Sequence, residues 1–187
     1  MDDVVALLKH DGVGVFPTDT LYGLVGRASS TRAVSRIYDI KGRDEHKPFI
    51  ILISSLTDLK NFKITLTPVQ KKFLQKNWPN QLSVILPCPQ KQFEYLHRGT
   101  KSLAFRYPKD VFLQKLLKKT GPLVAPSANP QGEQPAETIT EAQQYFADSV
   151  DFYVSKGKKK GQASTIVDLT KDIPMILRQG KVKIKKS

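Results

Sequence analysis

The chain has 187 residues, 40% of them hydrophobic, with 17 acidic and 30 basic side chains and a formal net charge of +13. That length can bury one sizeable core, and that composition excludes a disordered chain. A single cysteine, Cys88, excludes an intrachain disulfide, and His10, His46 and His97 stand without metal-ligand spacing, so no metal site is expected from protein ligands.

The start, MDDVVALLKH, is acidic and then amphipathic, unlike the basic-then-apolar order of a signal peptide. Val4, Val5, Leu7 and Leu8 predict a helix over Asp2–His10 that stops at Gly12. Val13–Phe16 reads as a buried strand. Ser30 or Thr31 caps a helix through about Lys41, with Ala33, Val34, Ile37, Tyr38 and Ile40 on one face. Phe49–Ser54 reads as a strand covered on both faces, and its apolar run is too short to span a bilayer. Thr67-Pro68 opens a helix through about Lys76. Strands follow at Leu82–Leu86 and Ser102–Tyr107, then a helix over Asp110–Thr120, a strand over Pro122–Ala125 and a helix over Thr138–Phe146. Short strands close the chain at Phe152–Val154, Ser164–Asp168, Met175–Arg178 and Val182–Ile184. The alternation predicts an α/β domain around a mixed sheet, a single domain over 1–187 with a basic tail from about 181 to 187. GKKKGQ, residues 157–162, reads as the mobile loop. No membrane segment is read, and the expected compartment is the reducing cytoplasm.

Neither a GxxxxGK[ST] phosphate loop nor a GxGxxG fingerprint is present, so any phosphate chemistry must rest on side chains. Four segments supply them near predicted strand ends, where open α/β sheets bind ligands. In FPTDTLYGL (16–24), Thr18 and Thr20 suit either a ligand or local turn amides. Lys41, Arg43 and Lys47 cluster around Gly42, as a phosphate contact or as cations dressing a helix C-terminus. Ser127 and Asn129, in APSANPQG (125–132), are small polar groups after an apolar strand. Arg106 and Arg178 lie within apolar strands with no evident acidic partner, where an arginine needs a partner or a ligand. From Lys156 onward ten Lys or Arg face two Asp, a surplus of eight positive charges. This reads as a solubilising surface or as a contact for tRNA, double-stranded RNA or another polyphosphate.

Taken in order, FPTDTLYGL, KGR with a later KP, FRYP, PSAN, STIVD and LRQG resemble the signatures of the YrdC-like family, spread from residue 13 to 180. The resemblance implies a twisted open mixed sheet with helices packed on it and a basic concave cavity. It implies joining L-threonine, bicarbonate and ATP into threonylcarbamoyl-adenylate with release of pyrophosphate, as a nucleotidyltransferase. A partner enzyme would then carry the threonylcarbamoyl group to tRNA. By position, Thr20, Arg106 and Ser164 resemble the threonine contacts. Arg43, Lys47, Ser102, Ser127, Asn129 and Arg178 resemble nucleotide contacts, and Lys41 with Arg43 the catalytic pair of the KxR signature. Mg2+ would arrive with the ATP phosphates.

Departures from the pattern are Asn80 and Gln81 where PGPxT is usual, Gln131 for a serine, Asp44 for a proline and Arg27 for an acidic residue. The altered rim and the basic charge motivate a second reading, a non-catalytic protein of the same fold assisting RNA or ribosome maturation. A third is an enzyme that adenylates or carbamoylates a different substrate.

Overall fold

The computed structural model describes residues 1–44, 46–171 and 173–184, so the last three residues of the basic tail expected over 181–187 lie outside the described residues. Helices are α1 (Asp2–Lys9), α2 (Thr31–Lys41), α3 (Pro68–Asn77), α4 (Glu94–His97), α5 (Val111–Thr120) and α6 (Ile139–Phe146). Strands are β1 (Gly14–Pro17), β2 (Tyr22–Arg27), β3 (Ile50–Leu52), β4 (Leu82–Pro87), β5 (Ser102–Arg106), β6 (Leu123–Val124), β7 (Phe152–Tyr153), β8 (Thr165–Asp168) and β9 (Met175–Arg178). The helix starts follow from local chemistry. Ser30, Thr67, Asp110 and Thr138 each accept the backbone N–H three residues on, satisfying a donor that has no partner within the helix.

The strands form one mixed sheet in the order β7-β1-β2-β6-β3-β5-β4-β8-β9. β1–β7, β3–β5 and β4–β8 pair in parallel, and the other neighbours are antiparallel. Alternation along each strand divides the apolar side chains between two faces. Val15, Leu24, Ile51, Phe105 and Val124 join a core that also takes in α2 and α3. Phe16, Val25, Leu52 and Leu123 pack on the other side against α1 and α5. That second face is therefore covered over β1, β2, β6 and β3. Among the described residues no helix is long and apolar enough to cross a membrane.

Among the described residues, four segments of regular structure lie where the sequence reading placed none: β2, the 3₁₀ helix Leu56–Phe62, the helical segment Lys91–His97 and the 3₁₀ turn Ala147–Ser149. Glycines hide β2. A Cβ on Gly23 would stand 3.1 Å from the Pro126 carbonyl oxygen, and one on Gly26 3.1 Å from Ile37 Cδ1, so close packing demands residues that lower β propensity. Conversely, Val182–Ile184 is no strand. The Val182 carbonyl instead accepts from Thr165 Oγ1 at 2.7 Å and Gln179 Nε2 at 3.0 Å, side-chain bonds that replace a ladder.

Candidate active site

Where α1 and α5 stop covering the second face, a cavity of about 470 Å³ opens over β5, β4, β8 and β9. Ser102, Ala104 and Arg106, alternate residues of β5, line its floor with Ile85 of β4, Ile166 of β8 and Arg178 of β9. Its walls come from the β1–β2 turn (Thr18, Thr20), from Arg43 and Phe49 beside β3, and from Ser127 after β6. The site thus lies across the sheet face as well as at strand ends.

The β1–β2 turn realises both readings of its threonines. Thr18 does turn chemistry: its Oγ1 donates to the Leu21 carbonyl at 2.6 Å and accepts the Thr20 amide at 3.2 Å. Thr20 faces the cavity, its hydroxyl 3.1 Å from that of Thr18. Between them Asp19 turns the other way, onto a smaller cavity of about 260 Å³ with Asn80, Gln81 and Lys159. Asp19 is the acidic partner of Arg106, at 3.0 Å, and both side chains are buried. Burial pushes the Asp19 carboxyl above its ordinary value against the pull of Arg106, and pulls the Arg106 guanidinium down against the pull of Asp19. The pair is close but not aligned. Arg106 Nε is buried and, among the described residues, has no hydrogen-bond acceptor.

Arg178 also has a partner, which sequence reading did not identify. Its Nε donates to the Ser164 carbonyl at 3.0 Å and its Nη2 to Ser164 Oγ at 3.3 Å. Ser164 Oγ in turn lies 2.9 Å from Ser83 Oγ, and both serines are buried. Arg178 is held below its ordinary value by burial and by the charge of Arg106, so two guanidinium groups share one partly dry space. Arg43, on the cavity wall, is likewise lowered by burial. A concave site with three partly desolvated arginines attracts anions.

Of the sequence candidates, Thr20, Arg43, Ser102, Arg106, Ser127, Ser164 and Arg178 line this cavity; Lys41, Lys47 and Asn129 do not. Lys41 is buried at the end of α2, which closes on Gly42 at φ 56°. Its Nζ donates to the Ser127 carbonyl at 2.6 Å and the Asn129 carbonyl at 2.5 Å. The lysine therefore sits behind the PSAN loop and fixes its shape. Burial, with the charge of Arg43, pulls its pKa from 10.5 to about 8. Lys47 is exposed beside Asp44 at 3.7 Å. Asn129 Nδ2 donates to the Glu133 carbonyl at 2.8 Å, inside its own loop.

Of the residues at the departures, Arg27 bonds away from the site, to Ser29 Oγ and the Lys9 carbonyl, and the others bond to one another or to the site. Gln131 Oε1 accepts the Asp44 amide at 2.9 Å, so the two unusual rim residues are joined. Gln81 Nε2 donates to the Asp19 carbonyl. Loop 157–162 lies against the β1–β2 turn: the Tyr22 hydroxyl donates to the Gly157 carbonyl at 2.7 Å, and Lys159 Nζ donates to the Thr18 carbonyl at 2.9 Å. Sequence reasoning missed Asp19, Ser83 and Phe49. For Asp19 the signal was present, an acid in a turn leaving a buried strand, but its cation lies on another strand.

Among known proteins, the Sua5/YciO/YrdC family model, described as "Telomere recombination", matches residues 6–180. The threonylcarbamoyl-AMP synthase of Bacillus subtilis (strain 168) is 34% identical over 179 residues, which are 94% of this chain and 51% of that protein. The crystal structure of P. abyssi Sua5 complexed with L-threonine superposes with a TM-score of 0.88 at 28% identity, covering 95% of this chain and 53% of that one. E. coli YciO gives a TM-score of 0.86 at 25% identity, over 98% of this chain and 90% of that one. The chain thus spans about half the length of the first two and nearly all of the third. With the family model matched along almost its whole length and the same sheet underlying its cavity, this chain belongs to the Sua5/YciO/YrdC family.

Proposed function

We propose that the chain is an L-threonylcarbamoyladenylate synthase, forming threonylcarbamoyl-AMP, pyrophosphate and water from L-threonine, bicarbonate and ATP. The product would serve tRNA modification in the cytoplasm, through a partner enzyme that transfers the threonylcarbamoyl group. The observation that carries this reading is Arg106: a buried guanidinium on the cavity floor, in the same cavity as Thr20 and Ser164, whose Nε–H has no acceptor among the described residues. An amino acid's carboxylate would supply that acceptor, and small hydroxyls on both sides suit a ligand bearing one hydroxyl of its own. The name of the Bacillus subtilis relative and the L-threonine held by P. abyssi Sua5 support the same substrate.

In this reading Thr20, Arg106 and Ser164 orient threonine. Arg43, Ser102, Ser127 and Arg178 face the nucleotide, with Lys47 and Asn129 at its margin. Bicarbonate loses hydroxide to become carbon dioxide, the threonine amine attacks its carbon, and the proton released from the amine joins that hydroxide as the product water. The carbamate oxygen then attacks the α-phosphorus of ATP, and the α–β phosphoanhydride bond breaks to release pyrophosphate. Carbamate and triphosphate repel, so the cavity's work is to neutralise charge, exclude water and hold the two in contact. Lys41 acts through the loop it shapes, since its Nζ is committed to the Ser127 and Asn129 carbonyls. Among the described residues no group of three His, Cys, Asp or Glu gathers as metal ligands; magnesium would enter on the ATP phosphates as part of the substrate.

The test is pyrophosphate release by purified protein with ATP, magnesium, bicarbonate and each of several amino acids. Release should require both threonine and bicarbonate. No release from folded protein that still binds tRNA with steep salt dependence would replace this reading with the non-catalytic RNA-binding one.

A further inference from the structure

Tyr38 and Phe49 stack with ring centroids 4.0 Å apart and planes 22° from parallel. A guanidinium lies over each ring. Arg43 Cζ is 5.5 Å from the Phe49 centroid, and Arg98 Cζ is 4.2 Å from the Tyr38 centroid. Both distances fall in the range where a ring face attracts a cation. The four side chains thus form a column, cation–ring–ring–cation, that begins at the C-cap of α4 and ends on the cavity wall.

Two further observations tie the column to Arg43. The Tyr38 hydroxyl donates to the Lys47 carbonyl at 3.1 Å, and Arg43 Nε donates to that same carbonyl at 3.1 Å. Tyr38 therefore supports Arg43 twice, through Phe49 beneath the guanidinium and through the carbonyl that takes its Nε–H. Arg98 caps α4 at φ 49°, a left-handed backbone that glycine would adopt with less strain. The turn it opens leads to Thr100 and Ser102, which line the cavity. Arg98 thus anchors one wall of the cavity on the ring that supports another.

We propose that Tyr38 and Arg98 are positioning residues for Arg43. The column holds the Arg43 guanidinium on the cavity wall before any ligand arrives, so an incoming triphosphate need not order a free arginine side chain. The proposal rests on the reading above in placing the nucleotide at Arg43. It differs in assigning work to two residues outside the cavity.

The experiment uses the whole chain, labelled with nitrogen-15. Tyr38→Phe keeps the stacked ring and removes the hydroxyl. Arg98→Gly keeps, and relaxes, the left-handed backbone while removing the guanidinium, and Arg98→Lys returns a cation. The first readout needs no ligand: hydrogen exchange at Arg43 Nε–H, its resonance identified by its loss in Arg43→Lys. Exchange should quicken about threefold or more in Tyr38→Phe and in Arg98→Gly, the loosening expected when one exposed-strength contact is lost, and Arg98→Lys should recover part of it. The second readout is calorimetric titration with ATP and, separately, L-threonine. ATP affinity should fall about three- to tenfold in both variants with threonine affinity unchanged, and neither should weaken ATP further in an Arg43→Ala background. Unchanged Arg43 exchange in both variants would overturn the proposal, as would an ATP loss that persists without Arg43. If wild-type protein binds no ATP, the synthase reading falls, while the exchange rates still decide whether the column positions Arg43.

Discussion

Arg106 Nη2 stands 3.0 Å from Asp19 Oδ1, with 4% and 6% of the two side chains exposed. The residues sit on different strand ends, β5 and the turn after β1, and neither charge has bulk water to fall back on. Removing one member of such a pair leaves the other buried and uncompensated, which costs more than the pair contributes.

Arg106→Ala should therefore lower stability by about 3–5 kcal/mol, read by urea denaturation. It should also weaken threonine binding about a hundredfold while ATP binding changes little, since a charge-assisted contact to a carboxylate is removed. The double variant Arg106→Met with Asp19→Leu should regain much of the stability and none of the threonine affinity. Equal loss of both ligands would remove Arg106 from the threonine pocket.

The Lys41 amine gives a pH signature. Its folded value of about 8 lies below the ordinary 10.5, so between those values the folded chain holds fewer protons than the unfolded one. Its contribution to stability is then fully present above about 10.5 and lost as pH falls through about 8. Wild-type protein should gain about 2 kcal/mol over Lys41→Met between pH 7.5 and 10. A pH-independent difference, or a Lys41 carbon-13 titration midpoint near 10.5, would contradict the burial assigned to this side chain.

The Ser83 hydroxyl lies 2.9 Å from that of Ser164, and Ser164 Oγ accepts from Arg178 Nη2 at 3.3 Å. Ser83→Ala leaves a buried hydroxyl short of a partner and should cost about 1 kcal/mol of stability. Because Ser164 then loses its fixed orientation, threonine affinity should drop several-fold while Ser83→Thr retains it. Equal threonine affinity in Ser83→Ala and wild type would confine Ser83 to a packing role.

A Cβ on Gly161 would overlap the Thr20 carbonyl oxygen. Gly161→Ala must therefore push loop 157–162 away from the β1–β2 turn, and Lys159 would lose its bond to the Thr18 carbonyl. Threonine affinity should fall with little change in ATP affinity. Limited proteolysis should cut the displaced loop, around Lys158–Lys160, faster than in wild type. A cleavage rate and a threonine affinity both equal to wild type would show that the loop gives no support to the turn.

Much of the fold was legible because its cues are local. A cap such as Ser30 or Asp110 needs only the amide three residues on, and Thr67-Pro68 carries its own helix start. The elements that escaped were those whose residues answer to distant neighbours: β2 keeps glycines because Pro126 and Ile37 press on it. The candidate site was legible in part. Seven of its candidates line one cavity, brought there from six segments.

By itself the sequence determined which side chains can meet anions, in what order they occur, and those helices and strands whose caps and apolar pattern are local. Only the tertiary structure decided how they are used. Strand order puts Asp19 beside Arg106 and Ser164 beside Arg178, and packing turns Lys41 inward to a loop that lies 86 residues away in the chain. The reason is physical. Propensity and capping act within a few residues, whereas burial, charge pairing and stacking depend on which strands lie adjacent, and nothing within one segment records its neighbour.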